Sequence, residues 1–188
     1  MSSRAVEHHD EADLVDRARC GEPEAFAELV RRHQREVFTL ALRLVSNPDL
    51  AGDVAQETFV RAWRAMPGFR ADSSFSTWIH RITVNTAWSL RRRRRRHDGA
   101  PLDDEVAALA DPGPTPEQAG ENLELRGRLL GALAALPEPQ RAVVVLKDVY
   151  GWTHREIARA LGITVTAAKV RLHRARARLR ERLEGEPG

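Results

Sequence analysis

The segment FSTWIHRITVNTAWSLRRRRRR, Phe75 to Arg96, sets three aromatic rings on an amphipathic stretch and ends in six consecutive arginines. Neither residue type makes or breaks bonds here; both bind. Aromatic faces stack on unpaired nucleic-acid bases for about 1–3 kcal/mol per base, and guanidinium groups neutralise phosphates and release counterions. At helical spacing Phe75, Ile79, Ile82, Thr86 and Leu90 fall on one inward stripe, which leaves Arg81, Val84, Asn85 and Trp88 off it. A bare arginine run reads as a solvated helix end. Arginines behind off-stripe aromatics read instead as a surface for opened strands, with Trp63 and Trp78 assigned to the core and Trp88 open to either role.

A second stretch carries recognition chemistry: THREIARALGITVTAAKVRLHRARARLRERL, Thr153 to Leu183. Thr153 followed by Glu156 forms a capping box, Gly162 permits a tight turn, and Thr164 caps a second helix. On that second helix Val165, Ala168, Leu172, Ala175, Leu179 and Leu183 make a buried stripe. Opposite lie Thr166, Ala167, Val170, His173 and Arg174, flanked by Lys169, Arg171 and Arg178. Small and polar residues near the helix start, with arginines behind them, suit a helix entering the major groove. There arginine pairs with guanine, alanine or valine touches a thymine methyl, and the remaining cations contact phosphates.

Composition narrows the remaining classes. The chain of 188 residues has a net charge of +3, but the charge is segregated. Residues 98–125 hold eight acids and no lysine or arginine, whereas residues 152–183 hold nine basic groups against two acids. Two basic surfaces separated by an acidic connector imply two contacts with a polyanion. The seven histidines fall at no metal-ligand spacing, His8-His9 being a weak exception, so no metal or cofactor is expected. The lone Cys20 excludes an internal disulfide and a cysteine-rich zinc site; it reads as inert, with a redox role left open. No nucleophile triad, glycine-rich phosphate loop or paired-carboxylate arrangement occurs, so an enzyme is not expected. No apolar run reaches the ~18 residues of a membrane span and no secretory signal opens the chain, which predicts a cytoplasmic protein without membrane insertion.

The elements that must position these groups are helices. Gly21-Glu22-Pro23 separates a short opening helix from a long one, along which Phe26, Val30, His33, Val37, Leu40 and Leu44 share a face. Asn47-Pro48 marks a stop and a capped restart. In the next helix Ala55, Phe59, Ala62 and Met66 point one way and Asp53 and Glu57 the other, with Gln56 beside them. Pro67-Gly68 ends it, and FRADSS leads to the aromatic stretch. From Asp98 onward DGAPLDDEVAALADPGPTPEQAG reads as a flexible linker. A leucine-rich helix (Leu125, Leu129, Leu133, Leu136), the break LPEP and a valine-rich helix to Tyr150 then precede the final pair. The only strand candidate, AVVVL, is outweighed by its helical surroundings. The expectation is an all-α chain of two small helical domains, 1–97 and 126–188, joined by the acidic linker 98–125.

Taken together, DLAGDVAQETFVRAW, FRADSSFSTWIHRITVNTAWSLRRR and LPEPQRAVVVLKDVYGWTHREIARALGITVTAAKVRLHRARARL resemble, in order and separation, the extracytoplasmic-function sigma factors of bacterial RNA polymerase. The resemblance covers residues 10–183 apart from the linker. Ala168 and Val170 depart from the more usual Val and Ser, and Ser89 stands where Asp is frequent. What the resemblance implies is a non-catalytic specificity subunit. Its region two binds core polymerase and reads and melts the minus-ten element; its region four reads the minus-thirty-five element. On that basis Asp53, Gln56 and Glu57 match polymerase-contacting positions. Phe69 and Asn85 line a pocket for a flipped-out base; Arg70, Arg81 and Trp88 are added to this minus-ten surface from the residues themselves, not from the resemblance. Thr164, Thr166, Lys169, Val170, Arg171, His173 and Arg174 form the minus-thirty-five surface. The implied partners are core RNA polymerase (the clamp of its largest subunit and the flap of its second), promoter DNA and an anti-sigma factor. The rival reading is a stand-alone helix-turn-helix regulator, which has no reason to expose Asp53 and Glu57 beside a strand-binding helix.

Overall fold

The computed structural model describes the backbone of residues 3–98 and 121–184 and the side chains of residues 11–94 and 127–184. Most of the acidic connector expected over 98–125 lies outside the described residues, as do the side chains of His8, His9, Arg95, Arg96 and Leu125. The described part is helical throughout. In chain order the helices are α1 (Ser3–Arg19), α2 (Pro23–Val45), α3 (Pro48–Ala65), α4 (Phe75–Asp98), α5 (Glu121–Ala134), α6 (Glu138–Val144), α7 (His154–Leu161) and α8 (Val165–Glu184). A 3-10 turn, Met66–Gly68, follows α3, and a π-helical turn, Val145–Val149, extends α6. The segment AVVVL is thus helical, as its neighbours required.

The boundaries follow local chemistry. Asn47 has extended backbone and its side chain accepts from the Leu50 amide at 2.9 Å, with Pro48 in the first turn where no amide is needed. Thr153 and Glu156 form both halves of the capping box, and Gly162 closes α7 in the left-handed region at φ 65°. Thr164 caps α8 by accepting from the Ala167 amide at 3.0 Å. Each of these stops was legible in residue type alone.

In the N-terminal half α2 is the central helix, packed against α1, α3 and α4. Leu29, Val37, Leu40 and Leu44 are fully buried on it, and Ile79 and Val84 meet them from α4. Two faces are rotated from the sequence reading. On α3 the buried residues are Leu50, Ala51, Val54, Thr58 and Ala62, while Ala55 and Phe59 sit at the edge of that face. On α4 Val84 is fully buried rather than off the stripe, because α4 is covered from two sides and its buried arc is wider than a single stripe.

The C-terminal half packs α6 and α7 across α8, with α5 lying along α8. Ala168, Leu172 and Ala175 form the buried face of α8, but Val165, placed on that stripe, is exposed at the open end of the helix. Likewise Leu129 is exposed although Leu133 and Leu136 on the same expected stripe are buried.

The halves are packed together. One buried cluster runs from Leu40, Val54, Val84 and Ala87 into Leu136, Val143, Leu146, Trp152 and Ile157, with Trp88 and Leu90 packed against it. At α6 Arg91 pairs with Glu138, whose side chain has almost no access to water, and also donates to the Val45 carbonyl at 3.3 Å. The C-terminal valines Val143, Val144 and Val145 belong to this shared cluster.

Candidate nucleic-acid interface

The N-terminal surface is built by the turn after α3 and by α4. Phe69 ends the 3-10 turn with its ring 4.8 Å from Trp78 and 6.3 Å, edge-on, from Phe75, and Phe75 lies 5.0 Å from the His33 ring. This cluster buries Phe69, one of the two residues that the resemblance places at a pocket for a flipped-out base. Phe69 instead anchors the loop beyond it. That loop holds Ala71 at φ 56°, a left-handed conformation costly for a residue with a Cβ, and such strain persists only where surrounding contacts fix the chain. Beside it Arg70 is exposed and 3.4 Å from Asp72.

Farther along α4, Arg81 and Asn85 are exposed, and Trp88 is half-buried. Of the five residues assigned to this surface, Arg70, Arg81 and Asn85 are open to solvent. Trp88 leans on the buried cluster that spans both halves and lines a cleft of about 490 Å³ together with Arg91, Arg92, Glu138, Arg159 and Arg171. Trp78, assigned to the core, is half-buried among Phe69 and Phe75. Trp63, assigned likewise, has 37% of its surface exposed and rests one face on Phe26 at 5.0 Å.

The arginine run is not uniform. Arg91 is mostly buried and engaged at Glu138, whereas Arg92, Arg93 and Arg94 are exposed. Arg94 reaches back to within 3.7 Å of Asp53 on α3. The polar face of α3 carries exposed Asp53 and Gln56, with Glu57 half-exposed and accepting from Arg61 at 2.7 Å. These three side chains therefore share one accessible face, held by the buried Val54 and Thr58 behind it.

On the C-terminal surface, α8 presents Thr164, Thr166, Lys169, Val170, His173 and Arg174 to solvent, and Arg171 is half-exposed. Val170 shows 43% of its surface, unusual for valine and suited to apolar contact with a base edge. Farther along α8 Arg176 is held by Asp148 at 3.0 Å, a pair that raises the arginine pKa. Charge free for phosphates thus concentrates in the first turns of α8 and at Arg178 and Arg180 beyond.

A polar cluster between α2 and α4 has little trace in the sequence. His33 and His80, both buried, face Glu36 at 3.5 and 2.9 Å, and Ser76 donates to the same carboxylate at 3.3 Å. Hydrogen bonds from His33 and His80 hold the Glu36 carboxyl well below its usual range. The spacing of His33 and Glu36, one helical turn, is the only available signal, and His80 joins them across 47 residues of chain. No group of histidine, cysteine or acidic residues able to hold a metal ion occurs among the described residues. Cys20 is exposed and unpaired by any disulfide.

Comparison with known proteins assigns both surfaces to one family. Residues 29–97 match Sigma-70 region 2 and residues 126–179 match Sigma-70, region 4. Over 170 residues the chain is 36% identical to the ECF RNA polymerase sigma-E factor of Escherichia coli strain K12, covering 87% of this chain and 88% of that protein. The chain belongs to the extracytoplasmic-function sigma factors.

This sigma factor is also 38% identical over 156 residues to the ECF RNA polymerase sigma factor SigE of Mycolicibacterium smegmatis, where the match spans 83% of this chain and 60% of the relative. Two solved structures share its arrangement. CnrH in complex with the cytosolic domain of CnrY matches with a TM-score of 0.59 and 30% identity over 95% of this chain and 99% of that one. The sigma factor RpoE in complex with the anti-sigma factor NepR from Bartonella quintana matches at 0.61 and 26% identity, over 86% and 98%. The rival reading of a stand-alone regulator accounts only for the second matched region. No helix among the described residues is long and apolar enough to cross a membrane.

Proposed function

We propose that this sigma factor docks on core RNA polymerase through Asp53, Gln56 and Glu57, reads an opened minus-ten strand with the loop after α3 and the exposed face of α4, and reads a duplex minus-thirty-five element with the start of α8. The observation that carries this division of labour is the contrast between the two surfaces. On α4 and the loop before it the accessible groups are a planar amide, Asn85, and two arginines, Arg81 on the helix and Arg70 on the loop, around a half-buried ring, Trp88. Such a set captures a base that has left the stack. On α8 they are small, polar and cationic side chains ranged along a capped helix end, which fits the groove of an unopened duplex. Phe69, beneath the loop, keeps Arg70 and the strained Ala71 in place rather than stacking on the base itself.

No side chain in this arrangement needs to make or break a bond. The protein acts as a cytoplasmic, non-catalytic subunit, with residues 1–97 and 126–188 as its two recognition units and 98–125 as the acidic connector. An anti-sigma partner fits the likeness to the CnrH–CnrY and RpoE–NepR complexes. The test is in-vitro transcription with bacterial core polymerase on a randomised promoter library. Transcripts that start only when the protein is added, from promoters sharing two spaced elements, support the reading. Duplex binding without any polymerase-dependent start site would favour a stand-alone regulator.

A further inference from the structure

The cleft of about 490 Å³ between the end of α4 and the helix-turn-helix unit gathers positive charge from three helices. Trp88 and Arg92 stand one turn apart on α4, Arg159 comes from α7 and Arg171 from α8. Arg91 lines the cleft too, but its guanidinium is taken up by Glu138, the carboxylate of the same lining. Arg159 and Arg171 make no hydrogen bond or ion pair among the described residues, and Arg92 is exposed. Two unpaired cations and an exposed third thus converge on one partly enclosed space. Like charges drawn together repel, and positive charge between low-dielectric walls concentrates anions.

The rest of the lining is of a different kind. Leu161, Ile163 and Pro139 supply apolar surface, and Trp88, half-buried, packs on the shared cluster while also lining the cleft. A guanidinium presents a planar fork of donors that matches phosphate oxygens. An indole offers a flat face on which a nucleic-acid base stacks. Size separates the candidate ligands. Small-molecule clefts measure about 300–1,000 Å³, so a space of about 490 Å³ is far more than a lone phosphate needs and admits a mononucleotide. The lining therefore has a cationic part and an aromatic part, as a nucleotide has an anionic part and a planar one.

We propose that the cleft among Trp88, Arg92, Arg159 and Arg171 binds a nucleoside polyphosphate, its phosphates held by the three arginines and its base laid against the indole. The site draws on both surfaces assigned to promoter DNA, taking Trp88 from the strand-reading face and Arg171 from the duplex-reading helix. A bound nucleotide therefore competes with DNA for these side chains, and promoter reading falls as nucleotide rises. That competition rests on the proposed function; the binding itself does not.

The experiment titrates ATP, inorganic pyrophosphate and adenosine into the full chain by isothermal calorimetry at fixed salt. ATP is expected to bind one to one and most tightly, pyrophosphate less so, and adenosine least. Arg159→Gln and Arg171→Gln each weaken ATP and pyrophosphate by about tenfold. Trp88→Leu keeps an apolar side chain on the shared cluster; it weakens ATP by about five- to tenfold and leaves pyrophosphate unchanged. A control, Arg35→Gln with Arg64→Gln, removes two exposed cations of α2 and α3 that do not line the cleft, and all three titrations stay as in the parent. No ATP binding by the parent, or an equal loss in the control and the cleft variants, overturns the site. A folded Trp88→Leu that binds ATP as the parent does overturns the stacked base and hence the nucleotide. The effect on a minus-ten single strand is read separately by anisotropy. ATP that binds at the cleft without displacing the strand keeps the site and overturns Trp88 as a strand contact.

Discussion

The arginine run at the end of α4 divides by function between its first member and the rest. Arg91 has 19% of its side chain exposed and pairs with a Glu138 side chain that is 5% exposed. Removing one partner of a buried pair costs about 3–5 kcal/mol. Because Arg91 retains some water, the lower end, about 3 kcal/mol, applies to Arg91→Gln. In a chain of this size each kcal/mol moves the melting midpoint by about 2–4 °C, so a fall of roughly 6–12 °C is expected. Arg93 and Arg94 are exposed, and the 3.7 Å approach of Arg94 to Asp53 is a surface contact worth at most about 1 kcal/mol. The double variant Arg93→Gln, Arg94→Gln therefore melts close to wild type. It loses instead two phosphate contacts on a single strand, and the slope of log affinity against log salt becomes shallower by about 1.4. Between 50 and 200 mM salt the wild type then loses about sevenfold more affinity than the variant. Thermal unfolding by circular dichroism and an anisotropy salt series on both proteins test this division. If Arg91→Gln melts within about 2 °C of wild type, the burial of the pair is not energetically real. An unchanged salt slope in the double variant would mean that the arginines end in solvent and touch no phosphate.

Three further outcomes are expected. Asp53→Lys with Glu57→Lys reverses the charge of a face backed by buried Val54 and Thr58, so the fold survives while core-polymerase affinity falls by several kcal/mol; capture of core polymerase at wild-type levels by the folded double variant refutes the assignment. Arg174→Ala relaxes preference at one base of the minus-thirty-five element and costs about 1–3 kcal/mol, in contrast to a phosphate contact, which weakens all sequences alike; a promoter-variant series at two salt concentrations separates the two. Glu36, whose carboxyl is held below its ordinary value of 4.5, stabilises the fold fully above about that pH and loses the contribution as acid titrates it, so the melting gap between wild type and Glu36→Gln closes as pH falls below 4.5; a gap independent of pH refutes the ionised contact with His33 and His80.

Helix ends are readable because they depend on neighbours in sequence. Asn47 with Pro48, Thr153 with Glu156, and Gly162 each satisfy or terminate a backbone that the next few residues define. The exposed face of α8 is readable for the same reason: one buried stripe fixes the opposite side. The faces of α3 and α4 are less so. Periodicity locates a stripe to within a residue or so, and a helix covered on two sides, as α4 is by the N-terminal core and by α7, has no single stripe to find. Hence Val84 is buried, and the buried face of α3 centres on Val54 rather than Phe59. The burial of Phe69 is not legible in sequence because its partners Phe75 and Trp78 come from beyond a loop whose path sequence does not give.

The association of the halves is the least legible feature, and the reason is physical. A flexible connector suggests independence, since its composition speaks only of its own failure to pack. Whether two helical units stay apart depends on what their surfaces bury on meeting, and here the decisive residues are scattered and individually ordinary. Arg81 reads as a DNA contact, Glu156 as half of a capping box and Tyr150 as the end of a helix, while His80 stands out in no way. Each of those local readings fits its own element, and each side chain also has a second role across the junction. The capping role of Glu156 fixes its rotamer beneath the Thr153 amide, which leaves its other oxygen fixed toward Arg81 at little further entropic cost. The cap that starts the helix-turn-helix thus also orients the acid that reaches the exposed face of α4.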